Sequence, residues 1–474
     1  MTPTLPNDAL WRWSASDLAQ GIRTRRISSR EATQACLDRV HAVNPRLNAI
    51  VSVLEDSALA AADEADRAVA RGDSLGVLHG VPVTTKVNVD QQGCATTNGI
   101  VAFKDLIASE DSPVVGNLRR AGAVIFGRTN TPAFSFRWFT DNDLHGRTLN
   151  PWSREHTPGG SSGGASSAVS SGMGPIAHGN DIAGSVRYPA YCTGIFGLRP
   201  SFGRVPNFAP SASEERPPGM QMMSVQGPLA RTVADLRLGL QAMAQRDPRD
   251  PWWVPAPLIG PVQARPIRVA MSTSIPGARV HPGIVAAIER AASWLSQAGY
   301  VVEAAEPPDM VEAARLWQLI VDNEARIAMG PNVEKLGDAA IRTAFAAMTR
   351  NTPVLDTQAY FRALARRTTL IRNWNAFLER YPLVLGPLSA EPPFAYGLDV
   401  QSPESMDRII AAQGPQFAVP LLGLPAVCAP VGEVDGLPIG VQIIGGRFRE
   451  DLVLDAAEVL ESRYPCAAPI DPRF

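Results

Sequence analysis

The chain predicts an α/β protein built on a partly parallel sheet, and three observations support this. Its 474 residues are 45% hydrophobic and only 19% charged, below the ordinary charged share of ~25%. That balance favours a large buried core over an elongated or disordered chain. Helical patterns alternate with short apolar runs, as in Ser112 to Gly122 followed by Ala123-Val124-Ile125-Phe126-Gly127, which is the signature of βα units. A long helical stretch from 282 to 380 is interrupted by one strand-like segment, Val301 to Ala304. The length alone admits two or three domains or one large one.

In chain order, Ser14-Ala15-Ser16-Asp17 and Ser28-Ser29-Arg30-Glu31 both fit a capping box and each opens a helical pattern. A third helix, Glu55 to Arg71, is alanine-rich with acidic residues on one face, so the first 70 residues read as a helical layer. Val81 to Val87 follows as a buried strand with Lys86 at its end, where open α/β sheets place chemistry. Gly164 to Gly172 reads as a short helix of small residues and Arg231 to Ala244 as a longer one. Pro175 to His178, Gly194 to Leu198, Ile267 to Met271 and Tyr381 to Pro387 are strand candidates. Residues 245–265, with five prolines, form a surface connection. Phe345, Tyr360, Phe361, Trp374 and Phe377 lie along the helical stretch and read mainly as core.

Between Thr157 and Pro200 stand two serine-in-glycine clusters, Gly159-Gly160-Ser161-Ser162-Gly163-Gly164 and Ala183-Gly184-Ser185. Glycines around a serine let backbone N–H groups converge without Cβ interference, as an anion or oxyanion site needs. A Gly/Ser linker is the plain alternative, but linkers do not run into Arg187-Tyr188-Pro189 and the apolar Thr193-Gly194-Ile195-Phe196-Gly197-Leu198. Lysine is rare here: only Lys86, Lys104 and Lys335 among 44 basic residues, and Lys86 ends an apolar run. Arginine stays protonated in proteins, whereas a desolvated lysine can lose its proton.

These residues make the chain resemble the amidase signature family of carboxylic amide hydrolases. The family's GGSSGG loop, its Asp-x-Gly-Gly-Ser-[Ile/Val]-Arg-x-Pro segment and its Gly-Leu-[Lys/Arg]-Pro correspond to 159–164, Asp181 to Pro189 and Gly197-Leu198-Arg199-Pro200, with Ala183 replacing a glycine. The closing pattern, Gly423-Leu424-Pro425-Ala426 through Gly436 to Gly445, also matches. The resemblance implies a large mixed β-sheet flanked by helices on both faces, in a single domain spanning 1–474. Within it, 1–72 would be the helical layer, 73–245 the catalytic core and 246–265 the proline-rich connection. Residues 266–410 would help form the substrate pocket, and 411–474 would supply the last sheet and helix.

The resemblance further implies an amidase acting through an acyl-enzyme. Ser185 matches the nucleophile, Ser161 the bridging serine in a cis peptide, and Lys86 the base. A lysine with its ordinary pKa of ~10.4 is a poor base at neutral pH, and burial beneath apolar strands would lower it. The N–H groups of Ile182, Ala183, Gly184 and Ser185 would form the oxyanion hole. Thr157, Gly159, Gly160 and Trp138 are the candidate substrate contacts, with Thr157 equally able to cap the loop. Asp181 and Arg187 are expected to brace the loop, Ser162, Ser166, Ser167, Ser170 and Ser171 to pack, and Val87 stands where the family often has an acid. Phe134, Phe136, Trp138, Phe139 and Trp317 hint at an apolar or aryl acyl group, or else are core.

Other assignments fit less well. Ser161 and Ser162 satisfy the G-x-S-x-G elbow of α/β-hydrolases, but only His178 and His281 follow. The S-x-x-K pattern fails because Val83 holds its serine position. The glutaminase subunit of a tRNA-dependent amidotransferase usually has Ser-Leu-Asp-Gln before Gly-Pro, where this chain has Ser224-Val225-Gln226-Gly227-Pro228. A free-standing amidase is therefore preferred, and a binding scaffold without turnover sits poorly with intact Lys86, Ser161 and Ser185. The net charge of −2 argues against nucleic-acid or polybasic membrane partners. No apolar run reaches the ~18 residues of a membrane span, and the start, MTPTLPNDALWRW, lacks signal-peptide features. Five cysteines without C-x-x-C spacing read as reduced cytoplasmic thiols. No metal and no cofactor are expected, the partner is a small-molecule amide, and a homodimer is left open.

Overall fold

A computed structural model describes residues 7–474; residues 1–6, part of the start read above as leader-free, lie outside the described residues. The frame is one sheet of eleven strands. Its first part holds β1 (Ile50–Val53), β2 (Pro82–Lys86), β3 (Val124–Thr129) and β4 (Ile176–Asp181). Then come β5 (Phe196–Arg199), β6 (Val225–Ala230), β7 (Arg268–Met271), β8 (Val301–Ala304), β9 (Leu383–Pro387), β10 (Ala426–Val434) and β11 (Leu437–Gly445). The spatial order is β1-β3-β2-β4-β6-β5-β10-β11-β9-β7-β8. Strands β3, β2 and β4 run parallel, as do β9, β7 and β8, and antiparallel pairings join the two groups. The sheet is therefore large and mixed, as the resemblance implied.

Successive side chains of a strand point to opposite faces. Every residue of β2, β3, β5, β6, β9 and β11 is buried, so both faces of the sheet are covered. The strands consequently read as apolar runs rather than alternations. Sixteen α-helices accompany the sheet among the described residues, and one extended core cluster runs through it.

Several expected elements sit within a residue or two of their predicted bounds. The helix Glu55–Arg71 and the strand Val301–Ala304 match at both ends. The second capping box forms, with Ser28 Oγ accepting from Glu31 N–H and Glu31 reaching back. At the first, Ser14 accepts from Asp17 N–H, but the shorter Asp17 side chain bonds the Ser14 hydroxyl instead of its N–H. The first 70 residues are not purely helical. Ile50–Val53 adds an edge strand antiparallel to β3, and four residues between two helices are too few to show a period. The strand expected at Gly194 starts at Phe196, because a helix, Arg187–Thr193, precedes it and ends on Gly194 in the left-handed region. The strand expected at 175–178 continues to Asp181, which carries Asn180 and Asp181 to the site. Among the aromatics of the helical stretch, Trp374 is fully buried but Phe361 is exposed.

Candidate active site

Two parallel strands and one helix N-terminus converge on the site. Lys86 is the last residue of β2 and Asp181 the last of β4. Ser162 stands at the N-terminal end of the all-buried helix Gly163–Ser170 without a side-chain capping bond, and the Gly160–Ser161 peptide is cis. Lys86 Nζ lies 2.7 Å from Ser161 Oγ, 3.2 Å from Ser162 Oγ and 2.8 Å from Asn180 Oδ1. Lys86 has no solvent exposure. Burial lowers its pKa well below the lysine range; the Asp181 carboxylate opposes that and the Arg216 guanidinium reinforces it. The backbone N–H of Lys86 donates to His178 Nδ1 at 3.4 Å, and His178 Nε2 meets Gln226 Oε1 at 2.7 Å. Burial depresses His178 to about 4, so this histidine is neutral at physiological pH. His281 caps the helix Pro282–Gln297, accepting from Gly283 N–H.

Ser185 sits at the turn after β4, 6% exposed, and its carbonyl accepts from Ser162 N–H at 3.3 Å. Its hydroxyl has no hydrogen-bond partner among the described residues and borders a cavity of about 20 Å³. Phe136, Trp138, Trp317 and Met348 wall that cavity. Phe417 packs against both indoles, 5.5 Å from Trp138 and 4.7 Å from Trp317 between ring centroids. A larger cavity of about 690 Å³ is also bordered by Met348 and Phe417. Phe139 is instead core, stacked on Phe394.

The turn is held by charge and by indoles. Asp181 pairs in a fork with Arg187, both bonds 3.0 Å, and meets Arg199 at 3.3 Å, all three without exposure. Burial alone would raise the Asp181 pKa, but the two guanidiniums and the Gly184 N–H hold it far below the carboxylate range. Trp317 Nε1 donates to Ile182 O and Trp138 Nε1 to Ala183 O, each at 2.9 Å. In a trans peptide the N–H points opposite to the carbonyl, so each indole also orients the N–H that follows. Gly184 has φ +86, and a Cβ there would lie 2.4 Å from Gln416 Oε1, so backbone angle and packing both require glycine.

Two expectations change. The Gly184 N–H donates to Asp181 Oδ1 at 3.0 Å, so this donor braces the turn. The N–H groups of Ile182, Ala183 and Ser185 have no protein acceptor among the described residues. Thr157 is fully buried, donates to Trp138 O at 3.0 Å and accepts from Gly159 N–H at 3.1 Å, so it caps the loop rather than touching substrate. Gly159 and Gly160 are likewise buried, against Pro189 and the Arg137–Phe139 backbone. Of the candidate substrate contacts, only Trp138 borders the cavity. Sequence reasoning missed Asn180, which flanks the quoted motif by one residue and so carried no signal of its own. It also left Ser162 as packing, although its hydroxyl reaches Lys86. No group of three or more His, Cys, Asp or Glu side chains could hold a metal among the described residues.

The family model described as Amidase matches residues 31–454. An indoleacetamide hydrolase of Bradyrhizobium diazoefficiens is 49% identical over 97% of this chain and 88% of its own length. A glutamyl-tRNA(Gln) amidotransferase subunit of Moorella thermoacetica is 31% identical, covering 95% of this chain and 96% of its own. The crystal structure of a bacterial aryl acylamidase of the amidase signature family superposes with a TM-score of 0.83 at 27% identity, over 96% of this chain and 97% of that one. With the fold, the sequence match and the relatives in agreement, the chain belongs to the amidase signature family and is an amide-hydrolysing enzyme.

Proposed function

We propose that Ser185 is the nucleophile, Ser161 the proton bridge and Lys86 the base in hydrolysis of a primary arylacetamide. The observation that carries this is the 2.7 Å contact of a fully buried Lys86 with Ser161. A neutral Lys86 takes the Ser161 proton while Ser161 takes that of Ser185, whose oxygen attacks the amide carbonyl. The developing oxyanion is received by the free N–H groups of Ile182, Ala183 and Ser185, with Gly184 N–H engaged by Asp181. The C–N bond then breaks, the leaving nitrogen recovers the proton along the same path, and water cleaves the acyl-enzyme. The aromatic wall of Phe136, Trp138 and Trp317 and the indoleacetamide hydrolase relatives favour an indole-bearing acyl group.

The test combines turnover with covalent labelling. Purified enzyme without partner subunits, tRNA or ATP should release ammonia from indole-3-acetamide. A fluorophosphonate should add one adduct, mapped to Ser185. Ser161→Ala should slow labelling strongly without moving it, and Ser185→Ala should abolish it. An adduct on Ser161 in the unaltered enzyme would reverse the two roles. Ammonia release from glutamine alone would favour the glutaminase reading instead.

A further inference from the structure

We propose that Asn180 is a positioning residue that, together with Asn88, aims the lone pair of Lys86 at the serine pair. The proposal rests on the relay reading above. A neutral amine has two N–H donors and one lone pair, and the Lys86 nitrogen has three polar neighbours. Two are serine hydroxyls, which can donate or accept; the amide oxygen of Asn180 can only accept. Asn180 therefore fixes one N–H at 2.8 Å and confines the lone pair and the second N–H to Ser161 and Ser162. Of these, Ser161 is nearer, at 2.7 Å against 3.2 Å.

The Asn180 amide must face the right way, because its NH2 turned toward the amine would occupy the lone pair. A chain of bonds sets the orientation. Asn180 Nδ2 donates to Asn88 Oδ1 at 3.0 Å, and Asn88 Nδ2 donates to Ser135 Oγ at 2.9 Å. Ser135 gives its single proton to Asn98 Oδ1 at 2.6 Å, which makes the Thr131 hydroxyl at 2.8 Å a donor to Ser135; Ser135 then accepts from the Asn88 NH2, and Asn88 presents its carbonyl to Asn180. Ser135 borders the cavity beside Ser185. The network thus ties the amine to the pocket wall through neutral groups only. A carboxylate in the place of Asn180 would accept the same bond but would also favour the ammonium.

The charged and titratable groups around the amine are Asp181, Arg216, His178 and Arg128, whose Nη2 bonds the Lys86 carbonyl. All four stay in place in the variants that test the idea. The readout is the pH dependence of Ser185 labelling by a fluorophosphonate, which reports nucleophile activation alone. Asn180→Asp should move the acid limb up by about one to three pH units, with the rate recovering at high pH. Asn180→Ala should slow labelling about ten- to a hundredfold at every pH, a share of the 10²–10⁴-fold that a positioned base contributes, while KM for the amide changes little. Asn88→Ala leaves the amide free to turn and should fall between Asn180→Ala and the unaltered enzyme; it also serves if Asn180→Asp does not fold. Profiles of Asn180→Asp that superimpose on the unaltered enzyme, or unchanged rates in Asn180→Ala or Asn88→Ala, overturn the proposal. Labelling of Lys86→Ala at the unaltered rate would instead sink the relay itself, which keeps the two failures apart.

Discussion

Lys86→Met replaces an amine buried among three polar neighbours by an apolar chain of similar length, and it separates the protonation state of Lys86 from its chemistry. If Lys86 is neutral in the folded enzyme, folding at pH 8 or 9 requires the unfolded lysine, pKa ~10.4, to release a proton. Between the depressed folded pKa and ~10.4 the unfolded state binds one more proton than the folded state. Stability of the unaltered enzyme then rises with pH across that window, by up to ~1.4 kcal/mol per unit from this group. Lys86→Met lacks this contribution, so its stability relative to the unaltered enzyme should fall by about that slope as pH increases. The methionine removes the amine's desolvation penalty but leaves Asn180 Oδ1 without its partner, which costs about 1–3 kcal/mol. Near neutral pH the two effects oppose each other, so the slope is the diagnostic quantity rather than the offset. Urea unfolding of both proteins at pH 7, 8 and 9 measures it, with Ser185 labelling run in parallel. A stability difference that does not change with pH would mean that Lys86 is an ammonium in the folded state, and the general-base reasoning would fail. Amide turnover by Lys86→Met should be lost, since a positioned base supplies about 10²–10⁴-fold and a catalytic unit fails as a whole.

Lys86→Arg puts a permanent cation in place of a base that must be neutral to act, because arginine cannot deprotonate; it should be inactive at every pH in an ammonia-release assay, and appreciable turnover would make the lysine a mere positive charge. Gly184→Ala should cripple labelling, because its Cβ meets Gln416 Oε1 at 2.4 Å at a φ of +86. Displacement of the turn by about 1 Å costs on the order of 10²-fold, so a fully active variant would contradict the geometry. Asp181→Asn leaves Arg187 and Arg199 without their buried counter-charge and should destabilise the protein by about 3–5 kcal/mol. Urea unfolding measures that loss, and a change below ~1 kcal/mol would show that Gln442 and backbone acceptors suffice for the arginines.

The sequence by itself determined the chemistry-bearing segments, because those depend on residue type at short spacing. Glycines flanking serine, a lone lysine ending an apolar run, and helices with strong caps are all local facts. They were enough for the α/β class and for the bounds of Glu55–Arg71 and Val301–Ala304, whereas the grouping of Lys86, Ser161 and Ser185 came from the family resemblance those residues carry. Strands β6 and β10 escaped because Gly227, Pro228, Pro430 and Gly432 spoil any strand period. The β10–β11 hairpin did have a local signal: Asp435 and Gly436 both take positive φ, the turn that an Asp-Gly pair favours. Only the tertiary structure could decide how the turn at Ser185 divides its donors. Gly184 N–H goes to Asp181 because the indoles of Trp138 and Trp317, 45 and 135 residues from the carbonyls they hold, set the peptide planes. Asn180 and Asn88 lie 92 residues apart in the chain and meet because β2 and β4 are parallel neighbours. Contacts of that kind follow from which strands pair, and pairing is settled by burial across the whole sheet, which no short stretch of sequence contains.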